Sequence, residues 1–248
     1  MYINDIHIIY YLLFTVLGAM AGQFSDWITQ RSIEEKKIFS KDLFKEYKLK
    51  IKPNYALMTV TILIYIVLLS VKGINEVFYS NLPLIIYIFI TPILIAIFRI
   101  DYKLQIIPNR LNLTLFEIGL VSMFIMGCEN INIAFDKMLG LLIGGGIFLL
   151  ITAIGGFIAG KEAMGFGDVK LMCGLGLIFG VIGIVNISLM SFLIGAIISV
   201  GLLLSKKKKT DEYIPFGPFI VVASFIAMII PVGTIVHILL EIFTLGMI

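Results

Sequence analysis

The chain has 248 residues, of which 60% are hydrophobic and 14% are charged, and its formal net charge is +3 at pH 7. Apolar runs of about 17–22 residues recur along the whole length, which is the length that a helix needs to cross a bilayer. This composition excludes a soluble globular domain, and the continuous runs exclude the alternating pattern of a membrane β-barrel. We therefore expect an all-α, polytopic helical membrane protein with about eight transmembrane helices.

Eight spans are predicted in chain order. They lie near residues 7–23, 55–71, 82–100, 112–127, 138–159, 170–186, 188–205 and 218–246. No Lys or Arg precedes the first apolar run, which therefore indicates a true span rather than a cleavable signal peptide. The sixth and seventh spans are divided at Asn186, and Pro231 predicts a break within the last one.

Basic residues are distributed unevenly among the connections. Of the 19 Lys and Arg residues, only Lys72 and Lys137 fall on one side of the predicted membrane, and the other 17 lie in or beside four loops on the other side. These loops cover residues 23–54, 99–110, 161–170 and 206–209. The positive-inside rule places them in the cytoplasm and both termini outside. We expect a multi-pass protein of the inner (plasma) membrane, whose small positive excess reflects anionic lipid and requires no nucleic-acid partner.

The loop at 23–54 is the only predicted soluble segment of any size, and it is too short to hold a hydrophobic core of its own. Its mixed acids and bases predict one or two short amphipathic pieces at the membrane surface. It is either a solvated loop that anchors the topology or a small subdomain that caps the active site or meets a substrate. The two cysteines, Cys128 and Cys173, fall at opposite membrane faces, so we expect no disulfide. No zinc-like spacing occurs, and we predict no metal site.

Four acids lie within or at the edge of predicted spans, where a carboxylate is costly to bury: Asp101, Glu117, Asp168 and Glu241. Asp101 ends the third span and Asp168 begins the sixth, so both fall at the cytoplasmic face. Two neighbouring carboxyl groups can share one proton and activate water against a peptide carbonyl, because one takes the proton of the water and the other donates one. The alternative is a pair of structural acids. Glu117 either bonds a neighbouring helix or faces a cavity, and Glu241 is predicted to be structural.

The segment EAMGFGDVKLM, residues 162–172, surrounds the second acid with glycines. Gly165 and Gly167 remove side chains just before Asp168, which leaves room for an extended peptide backbone to approach the acid. Lys170 lies two residues further, on another face of the helix, and is expected to pair elsewhere than with Asp168. In the segment IPFGPF, residues 214–219, two prolines and a glycine predict a non-helical entry into the last span, either as a turn or as one wall of a cavity.

These motifs together resemble those of the type IV prepilin peptidases, a bacterial family of GxGD aspartyl proteases. The first family motif is an acid followed by a Pro-Asn or Pro-Asp step, and the second is GxGDxK. The matching residues are Asp101, Pro108 and Asn109 for the first motif and Gly165, Gly167, Asp168 and Lys170 for the second. The segment at 214–219 also matches the family, so the resemblance covers the C-terminal two thirds of the chain.

The N-terminal region resembles the family less closely. In GQFSDWITQR, Gly22, Phe24 and Arg31 match the family pattern, whereas Gln23 and Asp26 replace its usual Ser and Asn. The cysteines that bind zinc in many family members are absent from the following loop. The resemblance implies a methyltransferase-like region at 1–54, with Gly22 as a cofactor-binding residue, and a peptidase domain at 55–248.

The resemblance also implies an activity. Family members cleave the basic leader of prepilins or pseudopilins after a glycine, at the cytoplasmic membrane face, and many then methylate the new N-terminus with S-adenosylmethionine. It implies catalytic roles for Asp101 and Asp168 without a cofactor, and substrate contacts for Gly165, Gly167, Pro108, Asn109 and Glu117. A peptidase-only member is one alternative. A transporter that couples protons or cations through the two acids is another, although transporters place such acids nearer the midplane.

Overall fold

The computed structural model describes residues 2–3, 6–34, 53–159, 164–204, 214–230 and 234. A small antiparallel pair of strands, β1 (Tyr2–Ile3) and β2 (Ile6–His7), precedes the helices. The helices are α1 (Ile8–Ile33), α2 (Tyr55–Lys72), α3 (Phe78–Leu104), α4 (Asn109–Glu129), α5 (Ile131–Ala159), α6 (Phe166–Leu204) and α7 (Gly217–Ile229). In this part of the chain six helices, α1 to α6, are long and apolar enough to cross a membrane. The all-α, polytopic fold is thus confirmed, and the total of eight spans stays a prediction.

The chain divides into two compact units, residues 1–100 and residues 101–248. The predicted functional division at residue 54 is a separate matter and stays a prediction. The loop tract at 206–209, Pro231 and Glu241 lie outside the described residues. Each unit is described by itself below.

In the first unit, two glycines bring α1 and α2 into close contact. A Cβ atom on Gly18 would lie 2.8 Å from the Cα of Ile62, and one on Gly22 would lie 2.7 Å from the Cα of Met58. Thr61 donates from Oγ1 to the carbonyl oxygen of Gly18 at 2.6 Å. Small residues that let backbones approach, joined by a hydroxyl bond across the interface, are the usual way in which membrane helices associate.

Pro92 lies inside α3, where it removes one hydrogen bond of the helix. The carbonyl that loses its partner belongs to Ile88, four residues earlier. Tyr65 of α2 donates its hydroxyl to this carbonyl at 2.6 Å. The side chain of a neighbouring helix therefore satisfies the backbone group that the proline releases, as the interior of a membrane requires.

The first helix extends further than the sequence predicted. The predicted span ends at residue 23 and a soluble loop follows, but α1 continues to Ile33. The reason is a buried polar cluster on its last turns. Asp26 accepts hydrogen bonds from Gln30 (2.6 Å), Asn54 (2.9 Å) and Arg99 (2.5 Å). The polar residues that predicted a loop are therefore hydrogen-bonded partners inside the bundle, where an unpaired polar group is costly.

In the second unit, α4, α5 and α6 pack closely through glycines. A Cβ atom on Gly119 of α4 would lie 2.7 Å from Cβ of Leu177, and one on Gly140 of α5 would lie 2.5 Å from the carbonyl oxygen of Gly176. Such positions tolerate no larger side chain without a shift of the backbone. The glycines of these apolar runs therefore serve helix packing and position α6 between its two neighbours.

α6 is interrupted at Gly180, not at Asn186 as predicted. Gly180 has φ 70° and ψ −173°, a conformation open mainly to glycine, whereas Asn186 is buried within the following helical segment. Val181, which begins that segment, donates its N–H to Asp136 at 3.3 Å. Lys137 donates to the carbonyls of Leu177 and Ile178 in the last turn before the break. Two consecutive residues of α5 thus cap both sides of the interruption.

The side chain of Lys137, which the charge count places on the outer side, is buried and bonded to α6 and to Ser122 of α4. Its membrane side stays a prediction. It is a structural residue of the bundle interior. The uneven distribution of the remaining basic residues is unaffected.

Candidate active site

Asp101 lies in the last turn of α3, where the helix ends for local reasons. Gln105 has φ 57°, the left-handed conformation that closes many helices, and its N–H donates to the carbonyl of Asp101 at 2.9 Å. Pro108 follows in extended conformation and precedes the first residue of α4. The sequence between Asp101 and Pro108 therefore forms a tight reversal, and the Asp101 side chain is only 3% exposed.

Asp168 lies in the first turn of α6. Its backbone N–H donates to the carbonyl of Gly165 at 3.0 Å, which starts the helix directly after the glycine. The side chain is 4% exposed, and its Oδ1 atom is buried without a hydrogen-bond partner among the described residues. A buried carboxyl oxygen with no partner is costly, and such groups are concentrated at functional sites.

The third segment of the site is the non-helical entry into α7. Gly217 donates its N–H to Oδ2 of Asp101 at 3.0 Å, and a Cβ atom on Gly217 would lie 2.6 Å from the same oxygen. Phe216 holds this segment in place, since its ring packs 5.9 Å from that of Phe148 and 5.2 Å from that of Phe192. The predicted non-helical entry is confirmed, and it contacts one of the two acids.

Ile107 connects the three segments. A Cβ atom on Gly167 would lie 3.1 Å from Cβ of Ile107, and a Cβ atom on Gly217 would lie 3.2 Å from Cδ1 of Ile107. Ile107 therefore lies between Gly217, which contacts Asp101, and Gly167, which directly precedes Asp168. The fold therefore brings together two buried carboxyl groups that are 67 residues apart in the chain, with glycines rather than side chains beside each of them.

A groove of about 420 Å³ opens beside the first turn of α6. It is lined by residues of α4 and α6, namely Asn109, Asn112, Leu113, Phe116, Lys170 and Cys173. Lys170 donates to Oδ1 of Asn109 at 2.8 Å, so the expectation that this lysine pairs elsewhere than with Asp168 is confirmed. Asn109 thus lines a groove whose wall also includes Lys170, two residues after Asp168.

The other predicted site residues have different surroundings. Gly165 has space around it, because a Cβ atom there would be 3.6 Å from Oδ2 of Asp168. Pro108 caps α4, and Glu117 is exposed on that helix and does not line the groove. The roles of Pro108 and Glu117 in substrate binding stay predictions. Gly22 lies in the first unit against α2, and its role in cofactor binding stays a prediction.

Sequence reasoning missed three residues of this region. Asn112 donates from Nδ2 to the carbonyl of Gly167 at 3.0 Å, and it was read only as the first residue of an apolar span. Gly217 was considered as part of a cavity wall but not as a partner of Asp101. The contacts of Ile107 with Gly167 and Gly217 could not be recognised in the sequence, because an apolar residue at this position resembles any other core residue.

Neither Asp26 nor the apolar cavity beside α1 suits S-adenosylmethionine. Asp26 already accepts three hydrogen bonds, from Gln30 of α1, from Asn54 before α2 and from Arg99 of α3. The nearby cavity of about 460 Å³ is lined almost entirely by apolar groups, among them Leu17, Met20, Phe24 and Phe89. A charged, polar cofactor does not fit these residues. No cluster of three His, Cys, Asp or Glu side chains suited to a metal ion occurs in the described ranges.

Comparisons with known proteins agree on the region that holds the site. The sequence model of the type IV leader peptidase family matches residues 88–200. The prepilin leader peptidase/N-methyltransferase of Aeromonas hydrophila is 31% identical over 140 residues, which are 56% of this chain and 47% of that protein. The enzyme of the same name from Xanthomonas campestris is 33% identical over 134 residues, covering 54% and 45%.

A shorter relative is matched over most of its length. Leader peptidase HopD of Escherichia coli is 32% identical over 134 residues, which are 53% of this chain and 84% of that protein. By contrast, the chain spans about half the length of the prepilin leader peptidase/N-methyltransferases that it matches. No solved structure matches the chain at a significant level.

Proposed function

Because the chain belongs to the type IV leader peptidase family, we propose that it is a membrane-embedded aspartyl endopeptidase with Asp101 and Asp168 as its catalytic residues. Its proposed substrates are type IV prepilins or pseudopilins, which it cleaves after a glycine at the cytoplasmic membrane face. The observation that carries the proposal is the pairing of two buried acids beside glycines, at the end of one helix and the start of another. The excess of Lys and Arg in four loops supports the orientation and the inner-membrane location.

The proposed chemistry is water attack on the scissile carbonyl. One carboxylate takes a proton from the water as its oxygen bonds to the carbonyl carbon, and the other carboxylic acid protonates the carbonyl oxygen. The first acid then gives its proton to the leaving nitrogen as the C–N bond breaks, and the second carboxylate takes a hydroxyl proton from the tetrahedral intermediate, so the two acids again share one proton. Gly165 leaves the substrate backbone room to reach the acids, and the N–H of Gly217 orients the carboxyl of Asp101.

Co-expression with a prepilin tests the proposal. Asp101→Asn and Asp168→Asn should each lower leader removal by at least about 10³-fold, because each acid has a proton-transfer role that an amide cannot take. Both variants should still be found in the membrane at the level of the parent protein. Leader removal at the parental rate in either variant would contradict the paired-acid mechanism.

Methylation of the new N-terminus is a separate proposal that rests on the names of the longer relatives. Asp26 and the apolar cavity beside α1 do not fit S-adenosylmethionine. Mass spectrometry of the cleaved pilin distinguishes the two cases, because an N-methyl group adds about 14 Da to the first residue of the product. An unmodified N-terminus identifies a peptidase-only member of the family.

A further inference from the structure

We propose that Asn112 is a substrate-contact residue, and that its side-chain oxygen accepts a backbone N–H of the substrate segment that lies in the groove beside the acids. This inference rests on the proposed peptidase function and names one contact that the fold prepares for the substrate. It starts from the two ends of the Asn112 side chain, which have different surroundings.

The nitrogen end of the Asn112 side chain is hydrogen-bonded within the protein. Nδ2 donates to the carbonyl of Gly167 at 3.0 Å, and this carbonyl directly precedes Asp168 in the chain. The bond fixes the orientation of the amide, because only the nitrogen can donate to a carbonyl. It also joins the first turn of α4 to the GxGD turn, so Asn112 has a fixed position relative to the catalytic acid.

The other end has no partner in the described part of the protein. Oδ1 is buried, and the residue as a whole is 4% exposed. A buried amide oxygen without a donor costs about 1–3 kcal/mol, so a site that retains one is expected to satisfy it at some stage of its work. Because Asn112 also lines the groove, an occupant of the groove is the group that can supply the donor.

The chemistry of the groove favours an extended peptide as that occupant. Its apolar walls, Leu113 and Phe116, suit the start of an apolar substrate segment, and an unfolded backbone carries N–H groups that need acceptors once they leave water. Gly165 leaves the backbone of the GxGD turn open, because a Cβ atom there would make only an ordinary contact of 3.6 Å with Asp168. A peptide bound here would lie along the turn that carries Asp168.

The inference is tested by removing single N–H groups from the substrate. A prepilin-type peptide with a basic leader ending in glycine is made as a series in which one amide near the cleavage site, other than the scissile one, is replaced by an ester. For the parent enzyme we expect one position at which the ester lowers kcat/KM by about 3- to 10-fold, the range of a single hydrogen bond. For Asn112→Ala the ester at that position should have no effect.

A purely structural role for Asn112 predicts a different result. Asn112→Ala would then lower the rate equally for every peptide and keep the sensitivity of the parent at each ester position, and this outcome would overturn the inference. If Asn112→Ala does not fold, Asn112→Leu replaces it, because an apolar side chain of similar size suits a buried site. Asn186→Ala is the matched control, since Asn186 is also buried with one unpartnered amide atom and does not line the groove.

A second measurement locates the substrate without turnover. Cys173 lines the groove, so in a Cys128→Ser, Asp168→Asn background a maleimide reports on access to it. Bound prepilin-type peptide should slow the alkylation of Cys173 by at least about fivefold, and unchanged alkylation under saturating peptide would overturn the groove assignment.

A parent enzyme that cleaves prepilin but shows no ester position coupled to Asn112 contradicts this inference alone, whereas a parent enzyme that cleaves no prepilin contradicts the proposed function and the inference together.

Discussion

The first segment of α6, residues 166–179, begins at the GxGD turn and ends at the Gly180 break. Both ends combine glycine, an aspartate and a lysine within an apolar bundle. At the break, Asp136 and Lys137 bond the backbone groups that the interruption releases. At the GxGD turn, Asp168 keeps one buried oxygen without a described partner, and Lys170 bonds Asn109 instead of the acid.

The contrast shows that residue types alone do not distinguish a structural site from a reactive one. A charged group in a membrane bundle is stable when the broken backbone uses its hydrogen-bonding capacity, as at Gly180. A carboxyl group that retains free capacity next to a second acid is available for proton transfer. The degree of hydrogen-bond satisfaction separates the two ends.

The same substitution at the two aspartates gives the largest expected difference. Asp168→Asn should lower prepilin cleavage by at least about 10³-fold, because it removes a proton-transfer group. Asp136→Asn should leave cleavage within about twofold and cost about 1 kcal/mol of stability, because an amide oxygen still accepts the N–H of Val181. Cleavage assays and SDS-induced unfolding in mixed micelles measure the two effects. A large loss of cleavage in Asp136→Asn would show that Asp136 is not a purely structural acid.

Glycine substitutions should separate stability from activity. Gly180→Ala should lower the free energy of unfolding by about 3 kcal/mol, since φ 70° is strained for alanine and the new methyl group would collide with Asp136. Gly165→Ala makes only an ordinary contact at 3.6 Å from Asp168, so its stability should be close to that of the parent.

Cleavage by Gly165→Ala should nevertheless fall by about tenfold, because the methyl group occupies space that the substrate backbone needs. Unfolding curves and kcat/KM for a prepilin peptide test the pair. A Gly165→Ala enzyme of full activity would show that this glycine is not required for substrate approach.

The two lysines give the smallest expected difference. Lys137→Met should lower the free energy of unfolding by about 1–2 kcal/mol, because the carbonyls of Leu177 and Ile178 lose their donor, while hydrogen bonds between membrane helices are individually modest. Lys170→Met should change stability by less than about 0.5 kcal/mol, because its bond to Asn109 is exposed. The midpoint of SDS-induced unfolding compares the two variants directly. Equal losses of stability would show that the burial of Lys137 does not increase its contribution to stability.

Much of the architecture could be predicted because it depends on local features of the chain. Apolar length alone predicted the helices that α2 to α5 form, with boundaries that differ by several residues. The non-helical entry into α7 followed from Pro215 and Pro218. The pairing of the two acids as catalytic residues, which followed from charge topology and family resemblance, stays a prediction.

The errors arose where polar residues find partners far away in the chain. α1 was ended ten residues too early, because the partners of Asp26 include Asn54 and Arg99. The break in α6 was placed at Asn186, the polar residue, although Asn186 is buried in the helix and Gly180 has the unusual backbone.

The sequence by itself determined the membrane-helical class, the uneven basic charge and the two acid motifs, because each depends on residues that are adjacent or regularly spaced. Only the tertiary structure decided which glycine breaks α6, how Gly217 contacts Asp101, and that Asn112 holds the turn before Asp168. These are contacts between segments 55 to 116 residues apart, or backbone angles that depend on such contacts, and no local pattern encodes them.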